Sequence, residues 1–217
     1  VDTKIFKPLN NKKNLRKRFN LAQNKFLIGS FQKDGQGFGS GLNPKLIKGP
    51  DVFAKTLKDL QKYLGKNKIC VVLTSPARGY LKKKLDTYKI EYSHFHPFDK
   101  KQLPCLYNCL DIYLIASRDE GGPRGMFEAM ACGVPVVSTT IGHAHDYIIN
   151  NYNGFKSPIN NNKLLTKKII KIYKNKKLKS KIIKNSLLTA KKNNFLNHRT
   201  KWKIFIKIAS NKKNLIY

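Results

Sequence analysis

Apolar residues follow two alternating patterns along the chain, short continuous runs and longer stretches with helical spacing. The continuous runs are typical of buried parallel strands, and they are KFLIGS (25–30), KICVVLT (68–74), DIYLIAS (111–117) and VPVVST (134–139). The segment IEYSHF (90–95) is also strand-like. The intervening helices are expected at about Pro50 to Leu64, 80–88, Leu103–Cys109 and Pro123 to about Cys132. This alternation predicts an α/β fold, a Rossmann-like parallel sheet covered by helices on both faces.

The pattern changes after Gly154, where we expect the strands to stop. Leu and Ile recur at helical spacing in residues 163–174, 177–192 and 197–209, and Lys fills the remaining faces. We therefore expect a single domain over 1–217. It would consist of a leading segment (1–20), an α/β core (21–160) and a helical tail (161–217).

Three loops follow predicted strands: the glycine-rich FQKDGQGFGSG, the loop around Glu120, and TIGHAHD. In open α/β sheets, ligands bind outside the carboxyl ends of the strands. Because those ends meet at one edge of a parallel sheet, we expect all three loops to face one crevice.

The glycine-rich loop does not meet the G-x-G-x-x-G spacing of a dinucleotide site, and no acidic residue stands about 20 residues further on. A nicotinamide enzyme is therefore not favoured. Lys48 follows this loop and precedes a predicted helix. It has two interpretations: a phosphate clamp beside a helix N-terminus, or one more solvated lysine.

The stretch EGGPRGMFEAMACGVPVVST (120–139) places Glu120 before a predicted helix and Glu128 inside it. Gly121 and Gly122 can expose backbone N–H groups, and Pro123 suits the first helical position. The helix would point its positive dipole end into the crevice. Helical side chains lean toward the N-terminus, so the Glu128 carboxylate would reach the same crevice.

Two carboxylates beside Arg118 and Arg124 suggest a phosphate flanked by sugars, since a carboxylate can accept from vicinal hydroxyls. Two alternatives stay open for the glutamates. Glu120 could only complement the helix dipole while Glu128 lies on the surface, or the pair could serve as acid and nucleophile of a glycoside hydrolase.

Histidine and cysteine spacing does not favour a metal site. His143 and His145 have no evident third ligand, so His143 is interpreted as a hydrogen-bond donor near the phosphate. The four cysteines form no C-x-x-C pair, and three of them lie in apolar surroundings. This pattern indicates a reducing, cytoplasmic compartment.

The net charge of +32, from 44 Lys and Arg against 12 Asp and Glu, favours a polyanionic partner. No acidic residue follows Asp146. The candidates are phosphorylated substrates, the inner face of an anionic membrane, and, less favoured, nucleic acid. A bias toward AT-rich codons would also fill surface positions with Lys. No apolar run approaches the roughly 18 residues of a membrane span.

The chain resembles the nucleotide-sugar-dependent glycosyltransferases of the GT-B fold, family 4, also called glycosyl transferase group 1. The carrying motif is E-x7-E, matched by Glu120 and Glu128, inside the similar run LYNCLDIYLIASRDEGGPRGMFEAMACGVPVVSTTIGHAHDYIINNYNGF. KLIKGPDVF resembles the segment that opens the family's second helix, and VDTKIFKP resembles the segment that joins its two domains. Trp202 resembles part of the closing helix.

The resemblance implies a role for each matching residue. Glu120 would contact the transferred sugar, Glu128 the ribose hydroxyls of the nucleotide, and Lys48 the pyrophosphate, helped by N–H groups near Gly121 and Gly122. The remaining substrate-binding candidates are Gly29, Arg124 and His143. The donor would be a nucleotide-diphosphate sugar, used without metal or other cofactor and with retention of anomeric configuration.

Three departures from the family accompany the resemblance. Ser30 follows Gly29 where the family often has an arginine, a charge that Arg124 or Lys33 would replace. Gly142-His143 stands where many members have two glycines. The chain looks like the carboxyl-terminal half of a family member without the N-terminal, acceptor-binding domain, so we expect it to bind donor without transferring sugar.

Overall fold

The computed structural model describes residues 1–213, in which strands and helices alternate as the sequence predicts. The strands are β1 (Phe26–Ser30), β2 (Ile69–Thr74), β3 (Glu91–Phe95), β4 (Ile112–Ile115), β5 (Val136–Thr139) and β6 (Phe155–Ser157). They form one six-stranded sheet in the order β3-β2-β1-β4-β5-β6, and all its neighbours are parallel. The predicted α/β, Rossmann-like fold is confirmed.

Seven helices begin and end close to their predicted bounds, and two more, at residues 12–18 and 142–147, were not predicted. In chain order, the helices are α1 (Lys12–Arg18), α2 (Pro50–Leu64), α3 (Gly79–Thr87), α4 (Leu103–Asn108), α5 (Arg124–Ala131), α6 (Gly142–Tyr147), α7 (Asn162–Lys174), α8 (Lys176–Lys192) and α9 (Phe195–Lys213). Among these helices of residues 1–213, none combines the length and apolar character needed to cross a bilayer.

Each face of the sheet carries its own apolar layer. Side chains alternate across a strand, so Cys70 and Val72 of β2 pack with α4 and α5. Val71 and Leu73 of the same strand pack with α2, α3 and α7 on the opposite face. Strands buried on both sides read as continuous apolar runs, which explains why their pattern could be recognised in the sequence.

The expectation that strands stop after Gly154 is wrong, because β6 pairs with β5 just beyond it. β6 has only three residues, Phe155–Ser157, which is too short to produce a recognisable alternation. Phe155 is nevertheless fully buried, at 0% exposure. A strand at the edge of the sheet can be this short because it pairs with only one neighbour.

The C-terminal helices differ in how well they are packed. Ile169 and Ile172 of α7 and Ile182 of α8 are fully buried in the core. By contrast, every described side chain from 202 to 210 of α9 is exposed. The exposed set includes five large apolar residues, Trp202, Ile204, Phe205, Ile206 and Ile208.

Asp111 is the carboxylate that links α1 of the leading segment 1–20 to the sheet. Arg16 of α1 is 6% exposed and donates to Asp111 Oδ2 at 2.7 Å. Lys12 donates to Asp111 Oδ1 at 2.7 Å, and the Leu27 N–H of β1 donates to Oδ2 at 2.8 Å. A single half-buried side chain thus ties α1, β1 and the start of β4 together.

Candidate functional site

A cavity of roughly 820 Å³ opens at the carboxyl ends of β1, β2, β3 and β4. Its position agrees with the general rule for open α/β sheets. The loops after these four strands form most of the wall: Phe31 and Gln32, Thr74 to Pro76, His96 to Phe98, and Glu120 with Gly122 to Gly125. Further lining residues are Phe6, Lys100, Leu103, Tyr107, Tyr113, Ile115 and Glu128.

Glu128 lies on α5 with its carboxylate in the cavity wall. The helix starts one residue later than predicted, because Pro123 has an extended ψ of 98° and serves as the N-cap instead of the first helical residue. Phe127 and Ala129 on either side are buried, while Glu128 itself is half-buried. Tyr107 satisfies the carboxylate from inside, since its hydroxyl donates to Glu128 Oε2 at 2.9 Å.

Glu120 is held at both carboxylate oxygens. The Ser117 hydroxyl donates to Oε1 at 2.6 Å, and Lys48 Nζ lies 3.0 Å from Oε2. Only 13% of the Glu120 side chain is exposed. The two carboxylates therefore differ in their partners, since a cation neutralises Glu120 whereas a neutral phenol holds Glu128.

Lys48 reaches Glu120 because the backbone turns tightly at Gly49. Gly49 adopts the left-handed conformation with φ 62°, and a Cβ there would lie 1.9 Å from the Ala116 carbonyl oxygen at the end of β4. Only glycine allows this approach. The resemblance implies that Lys48 contacts the pyrophosphate, which stays a prediction. In the structure Lys48 forms an ion pair with Glu120, at the edge of a neighbouring hollow.

This hollow measures roughly 580 Å³ and is entirely polar or glycine-lined. Its wall consists of Gln32, Lys33, Gly35, Gln36, Gly37, Lys45 and Lys48. Gln32 lines both spaces, and the Lys48–Glu120 pair stands where they approach each other. The glycine-rich loop thus contributes a cationic surface next to the main cavity.

The two predicted arginines occupy different environments. Arg124 is exposed and lines the cavity at the start of α5. Arg118 instead donates to both oxygens of Asp51, at 2.8 and 2.7 Å. Burial alone would raise the pKa of Asp51, but Arg118 outweighs it and the pKa is lowered. Arg118 is therefore a structural partner of α2.

His143 contacts the Glu120 loop, is exposed, and is not among the residues that line the cavity. Its ring packs against Phe127 and Tyr147, with centroids 5.8 and 5.7 Å away. A Cβ on Gly122 would lie 2.6 Å from His143 Cε1, and the His143 N–H donates to the Gly121 carbonyl at 3.2 Å. The third loop therefore packs against the Glu120 loop, and its orientation toward the crevice stays a prediction.

Gly29 has a packing role inside β1. A Cβ there would lie 2.2 Å from Leu110 Cδ1, so glycine lets the Leu110 side chain, between α4 and β4, pack directly on the strand. The next residue, Ser30, accepts from the buried Arg78 at 3.1 Å. Arg78 also lies 3.3 Å from Asp34. Arg78 therefore supplies a positive charge beside Ser30, where the family often has an arginine. Lys33, one of the expected replacements, instead lies over the Phe38 ring.

Several cavity residues were not singled out from the sequence, chiefly the aromatic floor of Phe31, Tyr107 and Tyr113. The ring of Phe31 lies 4.7 Å from that of Tyr107 and 5.5 Å from that of Tyr113. One signal could have indicated the tyrosines, since both stand in apolar runs and buried tyrosine hydroxyls need partners. His96 lies on the loop after β3, where no spacing marks it.

The fold and the site together define the class of protein. It is an α/β domain with a ligand cavity at the carboxyl ends of its strands, and the cavity is flanked by the carboxylates of Glu120 and Glu128 and by the N-terminus of α5. Within residues 1–213, no three His, Cys, Asp or Glu side chains are grouped as metal ligands. The glycosyl transferases group 1 family matches residues 41–188. The chain belongs to this family.

Known proteins share the fold over different lengths. The chain is 26% identical over 153 residues to an uncharacterized glycosyltransferase, MJ1178, of Methanocaldococcus jannaschii, covering 67% of this chain and 40% of that one. Anabaena Alr3699/HepE in complex with UDP-glucose aligns with a TM-score of 0.77 at 18% identity, over 95% of this chain and 55% of that chain.

A third protein matches over nearly its full length. It is the C-terminal domain of a glycosyl transferase group 1 family protein, LpcC, from Francisella tularensis, with a TM-score of 0.74 at 22% identity. The alignment covers 90% of this chain and 99% of that domain. The chain spans less than half of the curated relative and about half of the HepE chain.

Proposed function

We propose that this chain is the donor-binding half of a retaining glycosyltransferase of family 4, and that its donor is a nucleoside diphosphate sugar. The observation that carries the proposal is the placement of Glu120 and Glu128 on either side of the α5 N-terminus, in one cavity. The family match favours sugar transfer over glycoside hydrolysis. It also favours a small-molecule donor over nucleic acid.

Each part of the donor has a chemically suited partner in the cavity. Glu128 presents a carboxylate to the vicinal hydroxyls of the ribose. The diphosphate would lie at the α5 N-terminus, where the helix dipole, Arg124 and the Gly121 and Gly122 N–H groups favour an anion. Glu120 would contact the sugar that is transferred.

Lys48 would stabilise the diphosphate as it leaves the sugar. When the bond from the anomeric carbon to the diphosphate oxygen breaks, that oxygen keeps the electron pair and gains negative charge. Lys48 lies 3.0 Å from Glu120, so it sits next to the proposed sugar position and could stabilise this charge. The acceptor hydroxyl oxygen would form the new bond on the same face of the sugar, and its proton would pass to the departing diphosphate oxygen.

The first prediction is that the chain binds nucleoside diphosphates and their sugars without metal. UDP is the first nucleotide to test, because HepE crystallised in complex with UDP-glucose. Calorimetry against UDP, GDP and ADP, each with and without a hexose, would rank the bases. A chelator is expected to leave the affinity unchanged, since no divalent ion takes part in the proposed contacts.

The same experiment has an activity arm. We expect no sugar transfer from the best donor to simple acceptors, because the chain spans only part of its relatives and the acceptor domain is proposed to lie in the remainder. The exposed apolar face of α9 would pack against that domain. Failure to bind any of the nucleotides, or efficient transfer by the 217-residue chain, would contradict the proposal.

We further propose that the basic C-terminal region holds the enzyme at the inner, anionic face of a membrane. No acidic residue follows Asp146, and each Lys near an anionic surface contributes roughly 1 kcal/mol. Co-sedimentation with anionic and neutral vesicles checks this second prediction. We expect binding to anionic vesicles only, falling as salt rises; equal binding to both types would contradict it.

A further inference from the structure

Tyr107 holds the Glu128 carboxylate from inside the core. Its side chain is 1% exposed, and its hydroxyl donates to Glu128 Oε2 at 2.9 Å. Among residues 1–213, no other group donates a hydrogen bond to this carboxylate. Oε1 therefore stays available to a ligand while Oε2 is occupied.

The Tyr107 ring cannot turn away from this contact. The ring centroids of Phe31 and Tyr113 lie 4.7 and 5.3 Å from the Tyr107 centroid. The ring of Phe6, in the leading segment, packs on a third side at a centroid distance of 6.1 Å. Packed aromatic neighbours leave a side chain one rotamer. The direction in which the hydroxyl points is thus set by the core, independently of any ligand.

The sequence of α5 makes room for this arrangement. A Cβ on Gly125 would lie 2.5 Å from the Tyr113 hydroxyl and 3.0 Å from the Tyr107 hydroxyl. Glycine at this position lets the first turn of α5 lie directly over both phenols. Burial, reinforced by Tyr113 and Glu128, raises the pKa of Tyr107 well above its ordinary value, so the phenol stays a donor at neutral pH.

We propose that Tyr107 is a positioning residue for nucleotide recognition, fixing Glu128 so that Oε1 faces the 2′ and 3′ hydroxyls of a ribose. This inference rests on the proposed function and adds a specificity determinant to it. A half-buried glutamate without such a partner would sample several rotamers. Ordering it on binding would then oppose the hydrogen bonds to the ribose.

The test compares Tyr107→Phe with the unchanged chain, using UDP and 2′,3′-dideoxy-UDP in calorimetry. If another base ranks first, its own diphosphate pair replaces these two. We expect the variant to bind UDP about tenfold more weakly, with dideoxy-UDP affinity unchanged within about twofold. The dideoxy nucleotide is the internal control, because it fills the cavity without offering hydroxyls to Glu128. Equal losses for both nucleotides, or no loss for UDP, would overturn the inference.

A double-mutant cycle with Glu128→Ala shows whether Tyr107 acts through Glu128. Adding Tyr107→Phe to Glu128→Ala is expected to leave UDP affinity unchanged, and a further tenfold loss would overturn the inference. Failure of the proposed function looks different. In that case the unchanged chain itself would bind UDP and dideoxy-UDP equally well, or bind neither.

Discussion

Replacing Glu128 by Gln is expected to weaken nucleoside diphosphate binding by about 1.5–3 kcal/mol, the value of a hydrogen bond to a charged group. This corresponds to roughly ten- to a hundredfold in affinity. The loss should be the same for the diphosphate and for its sugar conjugate, because the ribose belongs to both. Calorimetry with the two ligands measures it.

Glu91→Gln is the matched control. The chain has three glutamates, and Glu91 is the one at the amino end of β3, where it is 49% exposed and paired with Lys25. This substitution removes the same charge at the opposite edge of the sheet, so we expect unchanged affinity. Unchanged binding by a folded Glu128→Gln variant would rule out the ribose role.

Replacing Asp111 by Asn is expected to lower the free energy of unfolding by about 3–5 kcal/mol, because it leaves the buried Arg16 without its counter-charge. The side chains of Arg16 and Asp111 are 7% and 16% exposed, and Lys12 loses the same partner. Urea denaturation measures the change. Asp119→Asn, which removes an exposed carboxylate, should change stability little.

The Asp111 network also makes stability depend on acid. Burial would raise the pKa of Asp111, but Lys12 and Arg16 outweigh it, so the folded-state pKa lies below the ordinary 3.8. A depressed pKa contributes stability above the unfolded value, which is lost as pH falls through the folded one. Unfolding free energies of the unchanged chain and of the Asp111→Asn variant, measured from pH 6 downward, should therefore converge below about pH 4. Parallel curves would contradict the assigned role of Asp111.

The sheet was predictable from sequence because its central strands β1, β2, β4 and β5 are buried on both faces and appear as continuous apolar runs. The carboxylates were predictable too, since Glu120 and Glu128 stand in a chain with very few acidic residues. Both signals are local along the chain. β6 was missed because three residues carry no periodicity, and one buried Phe155 does not identify a strand.

The rest of the site depends on contacts between distant segments. Lys48 and Arg118 resemble other surface cations in sequence, and only the fold pairs one with Glu120 and the other with Asp51. Tyr107 meets Glu128 because α4 and α5 pack together, 21 residues apart in sequence. The ring of His143 packs against Phe127 and Tyr147, contacts that its spacing in the sequence does not indicate.

The most direct test is a crystal structure of this chain with UDP, or with whichever nucleoside diphosphate binds most tightly. Our account predicts ribose hydroxyls about 2.7–3.2 Å from Glu128 Oε1, Oε2 still bonded to Tyr107, and the diphosphate at the N-terminus of α5. A nucleotide lying instead in the hollow formed by Lys33, Lys45 and Lys48, with no contact to Glu128, would contradict it.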